Sequence, residues 1–215
     1  MAVAALFSAG KDSALAALLL DPFYDVVPSH CAFGVDAAAA SGGTGTGQSP
    51  GDVAARAADA LGLPFATVEL DRTVADEAVE RMVADGYPRE GIQRVHEHAL
   101  ETVASRDRLA GRDVTAVADG TRRDDRVPAV DRSVAQSLED RHGIDYLRPL
   151  AGYGRRAVDE LVDRQLRVET GPSERLPTAD YETELRALMA SEYGRDAVDE
   201  VFPDHTQSRV VGRRE

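Results

Sequence analysis

Apolar residues in this chain come in short runs separated by stretches with helical spacing. Residues 2–7 form an apolar run that ends in Ser8-Ala9-Gly10-Lys11-Asp12-Ser13 and resumes as the helical stretch 14–20, a strand, tight loop and helix. Residues 26–35 have strand character, and a Gly/Ser/Thr-rich segment, 41–51, follows as an expected mobile loop. Val53, Ala57, Ala60 and Leu61 repeat at helical spacing before Gly62, and 65–70 alternates as a strand. Helical patterns on Val74, Ala78, Val79, Met82 and Val83, then on Ile92, Val95, Ala99 and Val103, flank the Gly86-Tyr87-Pro88 break. The apolar strand 114–118 runs straight into Asp119-Gly120-Thr121. Val130, Val134 and Leu138 mark a helix, 144–147 a fifth strand, and Val158, Leu161, Val162 and Leu166 the next helix.

Strands that alternate with helices predict an α/β fold, a five-stranded parallel sheet with helices on both faces in a Rossmann-like three-layer arrangement. Such sheets bind ligands at the carboxyl ends of their strands, so chemistry is expected in the loops after the first and fourth strands. From about Thr170 the pattern changes to a Pro-containing link, a helix carrying Tyr181, Leu185, Leu188 and Met189, and a polar tail. The predicted boundary divides a sheet domain, 1–168, from a short helical extension and tail, 169–215. The tail, with His205, Gln207, Ser208, Arg209, Arg213 and Arg214, is either a disordered end or a strip folded over the substrate, and we read it as the second.

The 215 residues, 43% of them hydrophobic, describe a globular domain, and no window approaches the roughly 18 uninterrupted apolar residues of a membrane helix. The apolar start lacks the basic flank of a secretion signal, so a cytoplasmic protein is expected. Cys31 is the single cysteine, which excludes an internal disulfide, a zinc knuckle and a vicinal-cysteine redox motif. The net charge is −13, and of the 25 basic residues Lys11 alone is lysine, the others being arginine. Such an acidic, lysine-poor surface suits a halophilic cytoplasm of molar salt; a G+C-rich genome would also replace Lys by Arg. Either cause makes the retained Lys11 conspicuous, because it marks a position that needs a compact ammonium and not the broad guanidinium fork. In molar salt the negative charge says little against a nucleic-acid substrate, since counterion release gains little there.

The loop after the first strand is built to hold an anion. Small residues let backbone N–H groups close on a phosphate, the next helix offers its positive N-terminus, Ser8 and Ser13 can donate, and Lys11 supplies charge. A carboxylate at Asp12 is tolerable beside phosphates if it holds Mg²⁺ or caps the helix, so a metal-bound nucleotide is the natural ligand. The pattern G-x-x-x-x-G-K-[ST] fails, because position 5 is Ala5 and Asp12 follows the lysine.

Ser8-Ala9-Gly10-Lys11-Asp12-Ser13 resembles the SGG-x-DS signature of the PP-loop ATP pyrophosphatases, the adenine nucleotide alpha hydrolases, with Ala9 in place of the first Gly. That replacement matters only if position 9 needs a positive φ. Asp119-Gly120-Thr121-Arg122-Arg123-Asp124-Asp125 occupies the place of a second signature of that superfamily, G-T/H-N-x-x-D, with Arg where Asn is common. With its tail from Asp204 to Val211, the chain looks most like stand-alone archaeal PP-loop proteins labelled as predicted tRNA-modification subunits.

The resemblance implies an adenine nucleotide alpha hydrolase-like fold over about residues 1–165, with ATP and Mg²⁺ as ligands. It implies that Ser8, Gly10, Lys11 and Ser13 grip the β and γ phosphates, with Ala9 among the cofactor-binding residues, and that Asp12 with Asp124 or Asp125 holds Mg²⁺. Gly120 and Thr121 would approach the nucleotide, Phe33 and Cys31 would touch adenine unless they are core, and Arg122 or Arg123 would offset charge at the α-phosphate. Lys11, Asp12 and one of these arginines, Arg123 in the first instance, would carry the catalysis. The superfamily's reaction is adenylation, in which a substrate oxygen attacks the α-phosphorus, pyrophosphate leaves, and a nitrogen or sulfur nucleophile displaces AMP. With one cysteine, self-contained sulfur transfer is disfavoured, so sulfur chemistry would require a separate sulfur carrier or other subunit. The implied partners are tRNA, such a subunit and a second copy of the chain as a homodimer. The alternatives are an amide-forming ligase using ammonia or an amine, and a nucleotide-binding subunit or sensor without chemistry.

Other motifs carry less. Gly47-Gln48-Ser49-Pro50-Gly51 fits G-x-S-x-G, but the oxyanion donor would come from Pro50, which has no N–H. His96 and His98 point about 200° apart on a helix, cannot share a metal, and are expected at the surface. Asp159, Glu160 and Asp163 read as a solvated acidic face. Arg148-Pro149-Leu150 resembles a superfamily segment near the substrate cleft, or is a loop anchor.

Overall fold

A computed structural model of the chain describes residues 1–36, 49–173, 175–203 and 205–214. The central strand β1 (Ala2–Leu6) is buried along its whole length, as a five-residue run of Ala, Val and Leu with no polar face requires. It pairs in parallel with β2 (Asp25–Ala32) on one side and with β5 (Arg112–Ala118) on the other. β3 (Ala66–Glu69) extends the sheet beyond β2, and β6 (Asp145–Leu147) extends it beyond β5. These are the five parallel strands expected; a two-residue antiparallel strand, β4 (Arg108–Leu109), is added at β5. The second strand stops at Ala32, short of the predicted Val35, because Phe33 and Val35 turn their N–H groups to the Glu184 carboxylate, 2.9 Å away in each case.

Two apolar layers cover the sheet. Val3, Ala5, Ala116 and Ala118 face α1 (Lys11–Leu20), α2 (Pro50–Ala60) and α6 (Arg155–Gln165). Ala4, Leu6, Val68 and Val117 face α3 (Arg72–Asp85), α4 (Arg89–Ala104), α5 (Arg132–His142), α7 (Tyr181–Tyr193) and α8 (Arg195–Val201). Alternate residues of one strand thus enter different cores, as the pleat dictates. Helix α1 is apolar nearly all round after its first turn and is buried accordingly. Val130, predicted in the fifth helix, precedes that helix's N-cap Asp131, and α8 has no counterpart in the sequence reading. Among the described residues no helix is long and apolar enough to cross a membrane.

The C-terminal part combines the helices α7 and α8 with a two-stranded antiparallel sheet. β7 (Leu166–Pro172) continues directly from α6, runs across the predicted boundary at 168, and pairs antiparallel with β8 (Thr206–Arg213). Leu166 and Val210 belong to the core beneath α1 and α2, so the polar tail is a strand with one buried face. It is tied down at its end, where Arg213 Nε donates to the Leu61 carbonyl and its guanidinium pairs with Asp21. Of the expected mobile loop, residues 41–48 lie outside the described residues, as does Asp204 of the tail. Ser49 and Pro50 begin α2, with Ser49 Oγ capping the Asp52 N–H at 3.1 Å, which is a structural use of the G-x-S-x-G serine.

From β1 the chain builds outward to β2 and β3, then returns to the other side of β1 for β5 and β6. Strand order therefore reverses between β1 and β5, and a crevice opens at their carboxyl ends. The two motif-bearing loops leave from those two ends.

Candidate functional site

The 8–13 loop joins β1 to α1 in a conformation that its own side chains, β8 and the 119–121 segment hold together. Ala9 has φ 59°, the left-handed region in which a Cβ is strained by about 1 kcal/mol, so the Ala in place of Gly falls where glycine would be easier. Its methyl group is fully buried in the core, and its carbonyl accepts the Val210 N–H of β8 at 2.9 Å. Ser13 Oγ accepts the Ser8 N–H at 3.3 Å and donates to the Gly10 carbonyl at 3.1 Å, closing the loop on itself. Gly10 is the N-cap of α1 and has no side chain to satisfy the first-turn N–H groups, which leaves them available to an anion. One is taken from outside, since Lys11 N–H donates to Ser208 Oγ of β8 at 3.2 Å.

Gly120 explains why the second loop needs glycine. A Cβ there would lie 2.9 Å from Ser13 Cα and N, so the 119–121 segment packs its backbone against the start of α1. Gly120 thus touches the phosphate-type loop itself, and Thr121 turns its hydroxyl to Asp119 at 2.6 Å. The expected ligand loops are brought together, but through each other's backbone.

The charged side chains of the loop are paired internally. Lys11 Nζ pairs with Asp159 of α6, a residue read from sequence as part of a solvated acidic face. Arg122 lies 3.6 Å from Asp12 Oδ2, 3.7 Å from Asp124 and 2.6 Å from Asp125. It is therefore Arg122 that reaches the loop, whereas Arg123 is exposed and turned toward Gly154. Asp124 is exposed and caps α6 by accepting the Arg155 N–H at 3.1 Å, and Asp125 accepts from both the backbone and the guanidinium of Arg122. Of the three carboxylates assigned to Mg²⁺, Asp12 has a buried oxygen, Oδ1, with no hydrogen-bond partner. Burial pushes its carboxyl up from the ordinary value, against the pull of Arg122 and Lys11. A divalent cation would satisfy that oxygen, so Asp12 fits a metal; Asp124 and Asp125 are held by other groups. Among the described residues no cluster of three or more His, Cys, Asp or Glu is arranged to hold one alone.

Two cavities meet at this loop. The larger, about 580 Å³, extends from Ser8, Asp12 and Ser13 past Asp119–Thr121 to Tyr87, Arg89 and Ile92 at the start of α4 and to Tyr181 of α7. The smaller, about 430 Å³, lies under β8 and is lined by Lys11, Arg122, Arg155 and the hydroxyls of Thr170, Thr178, Thr206 and Ser208. Cys31 lines the larger one with its thiol pushed up to about 12 by burial, aided by Glu184. Phe33 does not line it: the ring is buried in the core facing α3 and α7.

The floor of the larger cavity holds a network that the sequence reading missed. Asp119, 2% exposed, accepts from Thr121 N at 2.9 Å, Thr121 Oγ1, Tyr146 OH and His96 Nε2 at 3.1 Å. Burial alone would raise the Asp119 carboxyl, but the hydrogen bond and charge of His96, with Thr121 and Tyr146, outweigh it and hold the group at about 2. His96 is not a surface residue: it is 4% exposed. The signal was present, because Ile92, His96 and Leu100 share one helix stripe; His98 lies off it and accepts the Asp71 N–H at 3.2 Å. Nothing in the sequence links Lys11 to Asp159 or to Ser208, which meet only through the tertiary fold. Arg148 is an anchor, donating to Thr121 Oγ1 at 3.1 Å and to the Val130 carbonyl at 2.9 Å.

A family model described as a family of unknown function, DUF7411, matches residues 1–212. The uncharacterized protein MJ0690 of Methanocaldococcus jannaschii is 34% identical over 222 residues, covering 99% of this chain and 96% of that protein. A crystal structure from the same organism, described as a predicted subunit of tRNA methyltransferase, is similar with a TM-score of 0.83 and 34% identity, over 100% of this chain and 98% of that one.

Proposed function

The chain belongs to this family of unknown function, and we propose that it is a cytoplasmic ATP-dependent enzyme of the PP-loop type, which forms AMP and pyrophosphate while activating an acceptor in tRNA modification. The observation that carries the reading is the 8–13 loop at the strand-order reversal, with backbone donors at the N-terminus of α1, a compact Lys11 ammonium and a buried, unpartnered Asp12 oxygen beside a 580 Å³ cleft. The description of the similar M. jannaschii structure as a predicted tRNA methyltransferase subunit supports the choice of tRNA.

In this reading the triphosphate lies against the N-terminus of α1, and Lys11 and Arg122 exchange their carboxylate partners for phosphate oxygens. Mg²⁺, held by Asp12 and by the phosphates, would supply charge neutralisation on the leaving pyrophosphate. The protein's own contribution is positioning: β8 and the 119–121 segment fix the loop from two sides, beside the cleft that would hold the acceptor. A nucleotide-binding subunit without chemistry is the second reading, favoured by the internal pairing of Lys11 and Arg122 and by the word subunit in that relative's description.

The test is incubation with Mg²⁺ and α-labelled ATP in molar KCl, adding either the RNA or the small-molecule fraction of a matching extract. Labelled AMP only with RNA supports the tRNA reading. AMP only with small molecules replaces it with an amide-forming ligase, and ATP binding without AMP in either case replaces it with the subunit.

A further inference from the structure

We propose that His96 accepts the proton released when a nitrogen nucleophile attacks the activated acceptor in the larger cleft, with Asp119 as its positioning residue. This deepens the function proposed above and rests on it.

The geometry begins with Asp119. Its two oxygens receive four hydrogen bonds, from Thr121 N, Thr121 Oγ1, Tyr146 OH and His96 Nε2, so the carboxylate is saturated and fixed in place. An ionised carboxylate only accepts, which makes His96 Nε2 an N–H donor in either charge state of the ring and, in the neutral ring that the step requires, places the lone pair on Nδ1. Nδ1 has no hydrogen-bond partner among the described residues, although the ring is 4% exposed and lines the cleft. A buried imidazole whose one nitrogen is held by a carboxylate and whose other is free toward a cavity is arranged to take up a proton, because Asp119 stabilises the imidazolium that forms.

The surroundings favour this residue. Cys31 of β2 lines the same cleft, Tyr146 of β6 donates to the same Asp119 carboxylate, and Tyr181 of α7 has its ring edge-on to the imidazole with centroids 6.2 Å apart. Burial holds the Cys31 thiol and both phenols in their protonated forms. Asp180 and Glu182 approach from the start of α7, Asp125 and Arg126 from the loop opposite, and Arg89 from the start of α4 itself. Asp125 is committed to Arg122 and Glu182 to Arg186. The distance from chemistry is short, since Asp119 adjoins Gly120, whose backbone packs against Ser13 of the loop.

The step balances without another reagent. The nitrogen lone pair of ammonia or an amine forms a bond to the adenylated carbon, the bond from that carbon to the AMP oxygen breaks, AMP leaves, and one N–H proton passes to His96 Nδ1. Sulfur is disfavoured as the nucleophile because the chain's own thiol, Cys31, is buried and protonated.

The experiment combines two readouts on the full chain. In ¹⁵N-histidine-labelled protein, two-bond NMR correlations are expected to show His96 as the Nε2–H tautomer with a bare Nδ1, and a mixture of tautomers in Asp119→Asn; an Nδ1–H tautomer in the wild type overturns the proposal. AMP release is then followed with labelled ATP, Mg²⁺, the active acceptor fraction and ammonium chloride as nitrogen source. His96→Gln, which can still donate to Asp119, is expected to lower kcat about 100-fold with ATP affinity unchanged and to flatten the acid limb of the pH profile. Added imidazole is expected to restore part of the rate to His96→Gly, an effect that a structural role would not produce. Wild-type kcat and pH profile in a folded His96→Gln overturn this step alone. Wild-type protein that releases no AMP with any fraction overturns the proposed function, and the step with it.

Discussion

At the 8–13 loop the charged pairs stand partly in water, whereas at the Asp119 end of the same cleft the hydrogen-bonded His96 and Asp119 side chains are almost wholly buried. The Lys11 and Asp159 side chains are 24% and 44% exposed, against 5% and 1% for His96 and Asp119. A half-solvated pair is worth little and can be exchanged for a ligand's charges, while a buried, fully bonded carboxylate cannot be altered without stranding its donors. The two regions therefore divide labour physically: one keeps its charges available for replacement, and the other keeps a geometry.

The contrast is broken most severely by Asp119→Ala, which leaves Tyr146, His96 and Thr121 donors unpaired in the core. Denaturant unfolding should show a loss of about 3 kcal/mol or more. Acid tests the same group without mutation. Its folded value of about 2 lies below the ordinary 3.8, so ionised Asp119 contributes about 2 kcal/mol that is fully present above pH 4 and lost as pH falls toward 2. Thermal melts from pH 5 to 2 should lose that increment in the wild type and lack it in Asp119→Asn. Gly120→Ala couples the two regions, because its Cβ must displace Ser13 at 2.9 Å; a cost of about 1–2 kcal/mol in stability should come with weaker ATP binding by calorimetry. Lys11→Ala should change stability least, by under about 1 kcal/mol, given the exposure of its pair. Its effect belongs to function: turnover is abolished with the fold intact, and equal activity would remove the loop from the mechanism.

The loops that meet were legible because each follows a strand and carries residues with few structural uses, such as the lone lysine and Gly120. The roles within them were less so. Arg122 and Arg123 are neighbours of one type, and only the direction of the chain after Thr121 decides that Arg122 reaches Asp12 while Arg123 turns to Gly154. Phe33, left between adenine and core by its sequence, is core, and His96 is the converse, a histidine expected at the surface that lines the cleft. The tail was harder because β8 alternates weakly, with Val210 the buried side chain that betrays a strand.

What the sequence by itself determined is the alternation of strands and helices, hence a parallel sheet, and the chemistry of the loop after β1, since periodicity and backbone preference are local properties. Tertiary structure alone decided the order of the strands, which sets Gly120 against Ser13, and the long-range partners Asp159, Ser208 and His96, all contacts between segments far apart in the chain. Such pairs leave no periodic trace, because their energies depend on burial and distance, which exist only once the sheet and its two helical layers have closed.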